Sequence, residues 1–331
     1  MSKARQLADL GNVYDDGALS NRNRIINGAM VIDQRNGGAA VSISSAGNTY
    51  VIDRWRANAS GGGVFSLQQS TTAPAGFINS LLATVTTADA SVVSGDFYHV
   101  RQTIEGFNFA DASFGTSDAK PVTLSFWVRN SLTGTFTATL RNNAGNRGYV
   151  ATYTINSANT WEHKEITITG DTTGTWPTDN TGSVIVNFNL GHGDTQTVGS
   201  WQGSVNEGAS GMTQWISTLG ATFYLTGVQL EVSDIATPFE HIPYSDQLAR
   251  CQRYYTITGA AYSTWGNSSG YATWSADFPV EMRAAPTLTR YNSGGTIYTS
   301  PRSTKRQVDI FLSGQGTAIA YPVGYNCDAE L

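Results

Sequence analysis

Residues Pro121–Asn130 read PVTLSFWVRN. Val122, Leu124, Phe126 and Val128 share one parity, and Thr123, Ser125, Trp127 and Arg129 share the other. A period of two is that of a strand with one buried face. The pattern recurs in GTFTATLRN, where Phe136, Ala138 and Leu140 alternate with Thr135, Thr137 and Thr139. In SVIVNFNL, Val184, Val186, Phe188 and Leu190 alternate with Ser183, Asn187 and Asn189, and Ile185 breaks the rule. YVIDRWRANAS, GVFSLQQS, RGYVATYTIN and HKEITITG behave alike. Turn clusters at Gly61–Gly63, Asn142–Asn146, Asp171–Gly174 and Asp179–Gly182 separate these segments. Many short, half-apolar strands joined by turns predict an all-β chain built on an antiparallel β-sandwich of jelly-roll type. No helical period of useful length runs between residues 25 and 245, which excludes a parallel α/β sheet.

The pattern weakens in two places. Residues 191–220 are Gly-rich with little alternation, and so long a loop is expected to be functional or flexible. The strand-like ATFYLTGVQLE then leads to a Pro-marked exit near Pro243. YSDQLARCQRYY reads as a short helical connector, and residues 244–331 as a second, small β domain with a marginal core. At the other end, SKARQLADL predicts a short helix carrying Leu7 and Leu10 as an apolar stripe, too short to stand alone in water. The divisions are therefore 1–23, an attachment segment and hinge; 24–243, the sandwich; and 244–331.

Composition narrows the partners. Charged residues make up 14% of the chain, against roughly 25% in typical soluble proteins. The 35 glycines exceed the roughly 23 that average usage gives, as a turn-rich β protein requires. The net charge of −5, from 20 basic and 25 acidic residues, offers no basic patch for nucleic acid. MSKARQLADL lacks the apolar core of a secretory signal, and no run approaches the ~20 apolar residues of a membrane span. Neither export by a leader nor membrane insertion is expected. Cys251 and Cys327 are too few for a disulfide scaffold; they read as buried thiols, with a single bridge as the alternative.

RIINGAMVIDQRNGG, then DRW at Asp53–Trp55, SFWVRNSLTGTF at Ser125–Phe136, YLTGVQLEVSDIATPFEHIPYSDQLARCQRYY from Tyr224 to Tyr255, and the closing GYNCDAEL resemble bacteriophage tail-fibre and receptor-binding proteins. The resemblance spans most of the chain. It implies a homotrimeric virion appendage, assembled in the bacterial host cytoplasm, that adsorbs to a host surface glycan. It also implies a body similar to carbohydrate-binding modules, with an INGAM first strand and a TGVQLE last strand paired at one edge. Arg5, Leu7 and Leu10 would then dock on other tail or baseplate proteins. Such jelly rolls often hold a structural Ca²⁺ near the first and last strands, for which Glu231 and Asp234 are the candidates. No other cofactor is implied.

Sugar recognition stacks aromatic rings on C–H faces while amides and carboxylates bond the hydroxyls. Trp55 reads as core, and Trp127 as a second-layer or partner contact. The candidate receptor residues are aromatics in Gly- and Thr-rich loops: Trp176, Trp201, Trp215, Tyr262, Trp265 and Tyr271, with Asn267 in a hairpin turn. Recognition through stacking predicts little dependence on salt. Catalysis is not expected. His99, His163, His192 and His241 lack metal-ligand spacing, and no nucleophile-elbow signature occurs. Asp96, Glu105, Glu207, Asp277 and Glu281 are the candidates for the carboxylate pair of a glycosidase. The alternatives are a tailspike-like depolymerase, which would need solenoid repeats that the chain lacks, and a virion decoration without a receptor role.

Overall fold

The computed structural model describes Lys3 and residues 21–45, 49–258, 271–290, 302–313 and 324–331. The chain divides into two compact units, Met1–Ile242 and Pro243–Leu331. In the first, the strands are β1 (Val41–Ile43), β2 (Thr49–Ile52), β3 (Trp55–Ser60), β4 (Val64–Ser70), β5 (Ser80–Thr87), β6 (Phe97–Glu105), β7 (Val122–Asn130), β8 (Gly134–Asn142), β9 (Gly148–Ile155), β10 (Glu162–Ile168), β11 (Gly182–His192), β12 (Trp201–Gln202) and β13 (Thr222–Glu231). They form a six-stranded sheet, β1-β4-β5-β13-β7-β10, and a seven-stranded sheet, β12-β9-β8-β11-β6-β3-β2. The named pairings are antiparallel, so the all-β sandwich predicted from the alternation is the observed fold.

The predicted inward residues meet between the sheets. Val122, Leu124, Phe126 and Val128 of β7 are buried, as are Phe136, Ala138 and Leu140 of β8 and Val184, Val186, Phe188 and Leu190 of β11. Phe126 and Phe188 cross the interface edge to face, with centroids 4.9 Å apart, and Trp55 lies 6.3 Å from Phe188. Each such side chain contributes about 1.5–3 kcal/mol through burial. YVIDRWRANAS is a hairpin and not one strand. β2 and β3 fold back at Asp53 and Arg54, and Arg54 takes a left-handed φ of 70°.

RIINGAM is not a strand either. Asn27 and Met30 have φ of 59° and 57°. The Asn27 amide donates to the carbonyls of Ile32 (2.8 Å) and Asp53 (3.0 Å), and its Oδ1 accepts from the Ile32 N–H (3.0 Å). This side-chain bonding replaces a ladder with a folded plug. The plug does lie against the TGVQLE strand: Arg24 N–H donates to the Leu230 carbonyl and Val228 N–H to that of Gly28. A Cβ on Gly28 would stand 2.1 Å from the Val228 carbonyl oxygen, so only glycine fits there. The strand it touches, β13, lies inside the sheet between β5 and β7, not at an edge.

In the second unit, α1 (Tyr244–Gln252) precedes β14 (Tyr255–Ile257), β15 (Tyr271–Asp277), β16 (Thr287–Arg290), β17 (Arg302–Ser303), β18 (Gln307–Ser313) and β19 (Tyr325–Asp328). They pair as two three-stranded sheets, β14-β19-β16 and β15-β18-β17. Phe278, Met282, Val308, Tyr325, Cys327 and Ala329 cluster as a small core. Cys251 and Cys327 are both buried free thiols, and burial pushes the Cys327 thiol up to about 12. Among the described residues no helix is long and apolar enough to cross a membrane.

Candidate functional site

The seven-stranded sheet turns one parity inward, with Ala57, Val100, Phe188 and Ala138 in register. One residue along each strand lies the opposite parity, and it is polar. Tyr50 pairs with Arg56, Arg56 with Arg101, Arg101 with Asn187, and Asn187 with Thr139. The row crosses β2, β3, β6, β11 and β8. A second row beside it runs Asn58, His99, Asn189 and Thr137. Side chains two apart on a strand share a face, so these rows make one polar surface on the outside of the sheet.

That surface is covered at one side by residues of the 191–220 loop. The Glu207 carbonyl accepts from Thr137 Oγ1 (3.1 Å), Thr139 Oγ1 (3.4 Å) and Asn189 Nδ2 (3.0 Å). Its carboxylate accepts from Asn187 Nδ2 (2.9 Å) and pairs with Arg141 Nε (3.1 Å). His99 Nδ1 stands 3.6 Å from the other carboxylate oxygen. At the opposite side the guanidinium groups of Arg35 and Arg56 lie 5.1 Å and 5.8 Å from the centroid of the half-buried Tyr50 ring. Half-buried Phe97 stacks on His99 at 5.1 Å. Between these sides Arg56 and Arg101 form the floor, with 8% and 7% of their surface exposed.

Electrostatics follow from the crowding. Burial pushes Arg101 down to about 9, reinforced by Arg56 and Arg141 and opposed by Glu207; it remains cationic at neutral pH. Burial, with Arg101 and Arg141 close by, holds His99 well below the usual histidine range, so the ring is neutral. Burial raises Glu207, while Arg141 and Arg101 pull it back. Among the buried atoms here, Asn187 Oδ1, Asn189 Oδ1, Glu207 Oε2 and both ring nitrogens of His99 find no hydrogen-bond partner in the protein. Such atoms cost about 1–3 kcal/mol each unless something bonds them.

The aromatic candidates are placed differently. Trp215 is fully buried (0% exposed) and meets Phe65 edge on at 6.0 Å, so it is core and not a receptor contact. Trp176 is 7% exposed and donates its indole N–H to the Thr173 carbonyl (3.1 Å), pinning its own turn. Trp176 and half-buried Trp201 do come together, 5.5 Å apart, with Phe114 and Tyr149 around them. The Trp201 N–H is engaged by the Thr169 carbonyl (2.7 Å). A loop without alternation still buries large rings when they close the end of a sandwich. Tyr271 opens β15, its backbone paired with Ser313. Tyr262, Trp265, Asn267, Arg5, Leu7 and Leu10 lie outside the described residues.

Glu231 and Asp234 do not suit a cation. Calcium takes 6–8 oxygens, whereas buried Glu231 accepts from the Thr237 N–H (2.9 Å), Thr237 Oγ1 (2.7 Å) and Gln229 Nε2 (3.0 Å), and Asp234 is exposed. No group of three or more His, Cys, Asp or Glu side chains among the described residues is placed to hold a metal.

No family model matches the chain, and no curated protein matches it. Among solved structures it is similar to the enzymatically active domain of tailspike protein 4 of bacteriophage CBA120. The identity is 16% over 64% of this chain and 22% of that one, with a TM-score of 0.35. It is also similar to the family 11 carbohydrate-binding module of Clostridium thermocellum in complex with a β-1,3-1,4-mixed-linked tetrasaccharide. There the identity is 11% over 62% of this chain and 100% of that one, with a TM-score of 0.31. A third is the xylanase 10B CBM22-1–GH10 modules of Clostridium thermocellum complexed with xylohexaose, 11% identical over 57% of this chain and 28% of that one, with a TM-score of 0.31.

Proposed function

We propose that the sandwich is a glycan-binding module, and that the chain is a phage tail-fibre protein that uses it for host adsorption. The observation that carries the binding reading is the outer polar row, Tyr50–Arg56–Arg101–Asn187–Thr139, laid in register across five strands. Adjacent strands are ~4.8 Å apart, so the row spaces its polar groups evenly; Asn187 and Thr139 lie buried beneath Glu207, and the half-buried Tyr50 is the member of the row nearest to solvent. Phe97 and Tyr50 stand at its margins as stacking surfaces. The virion setting rests on the sequence resemblance, as do a homotrimeric state and docking on tail or baseplate proteins through the segment before Asn21.

The reading is of a binder and not of a hydrolase. A glycosidase works with two carboxylates ~5–9.5 Å apart. Glu207 on this face is committed to Arg141 and Asn187, an arrangement that holds a loop in place. The test is retention of the full chain on an array of bacterial surface polysaccharides, with reducing ends measured on the same samples. At least one polysaccharide should retain it without gaining reducing ends, and Arg101→Gln should weaken retention at least tenfold. Retention by none would overturn the reading, and new reducing ends would replace it with the depolymerase.

A further inference from the structure

Residues 203–211 cross the outer polar rows of the seven-stranded sheet as a strap between two anchors. Before the strap, Trp201 and Gln202 pair with Tyr149 and Gly148 of β9. After it, Trp215 is fully buried in the core. A glycine stands at each end, and the second, Gly211, takes a left-handed φ of 76° that favours glycine. Between them the strap buries little apolar surface: Ala209 is buried and Val205 half-buried, while Ser204, Asn206 and Ser210 are exposed. Its hold on the sheet is polar and centres on Glu207. Segments with few buried apolar contacts are the ones that open without global unfolding.

One ring ties the strap to the start of the loop. The Asp194 N–H donates to His192 Nδ1 (3.1 Å) and the Glu207 N–H to His192 Nε2 (3.4 Å). The Asp194 carbonyl in turn accepts from the Gly208 N–H (3.2 Å), so both donors belong to the same closed arrangement. A neutral imidazole accepts at one nitrogen, and an imidazolium at neither. The His192 backbone is fixed separately by both atoms of the Gln214 amide, so a change at the ring leaves the end of β11 in place. The Asp194 carboxylate is held by Ser94 Oγ (2.7 Å) and the Gly95 N–H (2.9 Å). The other charged and titratable groups facing this cluster are Glu207 on the strap, Arg56 on β3, His99 and Arg101 on β6, and Arg141 on β8.

We infer that residues 203–211 are an acid-released strap: Glu207 clasps them over the polar face at neutral pH, and protonation of His192 frees them while the sandwich stays folded. The inference goes beyond the glycan-binding reading and does not depend on what the face binds. Burial holds His192 below its ordinary 6.5, with Asp194 opposing, so the closed strap excludes a proton that the open one takes up. His99, with Glu207 3.6 Å away, is lowered by burial and acts in the same sense. Glu207 is raised by burial and acts in the opposite sense from its ordinary 4.5 upward. Two histidines thus work against one carboxylate. Opening is favoured as pH falls below about 6.5, by a net of up to about tenfold per pH unit.

Amide hydrogen exchange on the full chain reads the strap directly. After correction for the intrinsic rate at each pH, the amides of Glu207 and Gly208 should lose protection about tenfold between pH 6.5 and pH 5.0. Over the same labelling time the amides of β7 should remain unexchanged, which separates release of the strap from unfolding of the sandwich. His192→Gln keeps an acceptor and loses the titration, so His99 and Glu207 then oppose each other one for one. Its strap amides should hold one level of protection across the range. Equal protection at the two pH values in the unaltered protein overturns the inference, and so does the same loss in His192→Gln or strap exchange no faster than that of β7. Where His192→Gln fails to fold, the ring of the unaltered protein decides. The His192 Cε1–H resonance should titrate over the pH range in which the strap loses protection, and a resonance that stays flat through that range overturns the inference.

Discussion

Arg101 and Arg129 occupy matching positions, each on the outward parity of an interior strand, and their surroundings differ completely. Arg101 lies 7% exposed with Arg56 paired beside it on the sheet that carries Glu207. Arg129 is half-exposed, its guanidinium 5.1 Å from the Tyr224 ring and its Nε donating to the Asn159 carbonyl. Around it the outer face of the six-stranded sheet carries half-buried Trp161, 6.0 Å from Tyr224, and half-buried Trp127, 5.1 Å from His163. Alternation assigns a residue to a side of its sheet. Whether that side is open depends on the loops, and here the 191–220 loop lies over one sheet only.

The largest effect should come from unseating that loop. Trp215 sits where it returns to β13, buried against Phe65. Trp215→Ala should destabilise the sandwich by about 3–5 kcal/mol, seen as an earlier midpoint in chemical denaturation. An unchanged midpoint would show that the covering loop is not anchored through the core.

Acid gives the next effect. The folded protein keeps His99 neutral through burial and nearby arginines, whereas the unfolded chain takes up a proton below about pH 6.5. The unfolded state then binds more protons, so stability falls as pH drops, by up to about 1.4 kcal/mol per pH unit. His192 is also lowered by burial and acts in the same sense. Glu207, raised by burial, acts in the opposite sense in a window starting at its ordinary 4.5. Thermal midpoints between pH 7.5 and 5.5 should decline, and the His99→Gln profile should lie flatter. Parallel profiles would mean that the covered face admits a proton freely.

The smallest effect belongs to the open face. Tyr224→Ala removes one exposed cation–π contact and one aromatic pair, worth about 1 kcal/mol together, and should leave polysaccharide retention unchanged. If Tyr224→Ala abolished retention while Arg101→Gln did not, recognition would belong to the six-stranded sheet, and the contrast between the two faces would be reversed.

Sequence alternation carried the architecture where it was clean. The inward residues of β7, β8 and β11 are those the period of two assigns. Alternation fell short where side chains serve the backbone. β6, FYHVRQTIE, holds both His99 and Arg101 but gave no clear signal, because Gln102 points inward and bonds the Ile26 backbone through both its atoms at 2.8 Å. RIINGAM mimics a strand in composition, but Asn27 folds it into a plug. None of the candidate receptor residues read from the sequence lies on the polar rows. Asn187 and Asn189 were legible only as the outward parity of an alternating strand, and their partnership with Arg101 and His99 depends on register between segments about 90 residues apart. Glu207 looked like a catalytic candidate and is a clasp. Its role depends on the path of an aperiodic loop, which no periodicity encodes.

The plug that replaced the expected first strand has one more consequence. The backbone N–H groups of Asn21 and Asn23 both donate to the carboxylate of Glu240, at 2.6 Å and 2.9 Å, so the chain enters and leaves the sandwich at one spot. A domain whose two ends meet can be inserted, removed or swapped at a single joint, and circular permutation is tolerated for the same reason. Its outer polar rows lie on strands well inside that span, away from the joint in sequence. A lineage could therefore exchange the whole sandwich in one recombination event without redesigning the segments on either side of the joint.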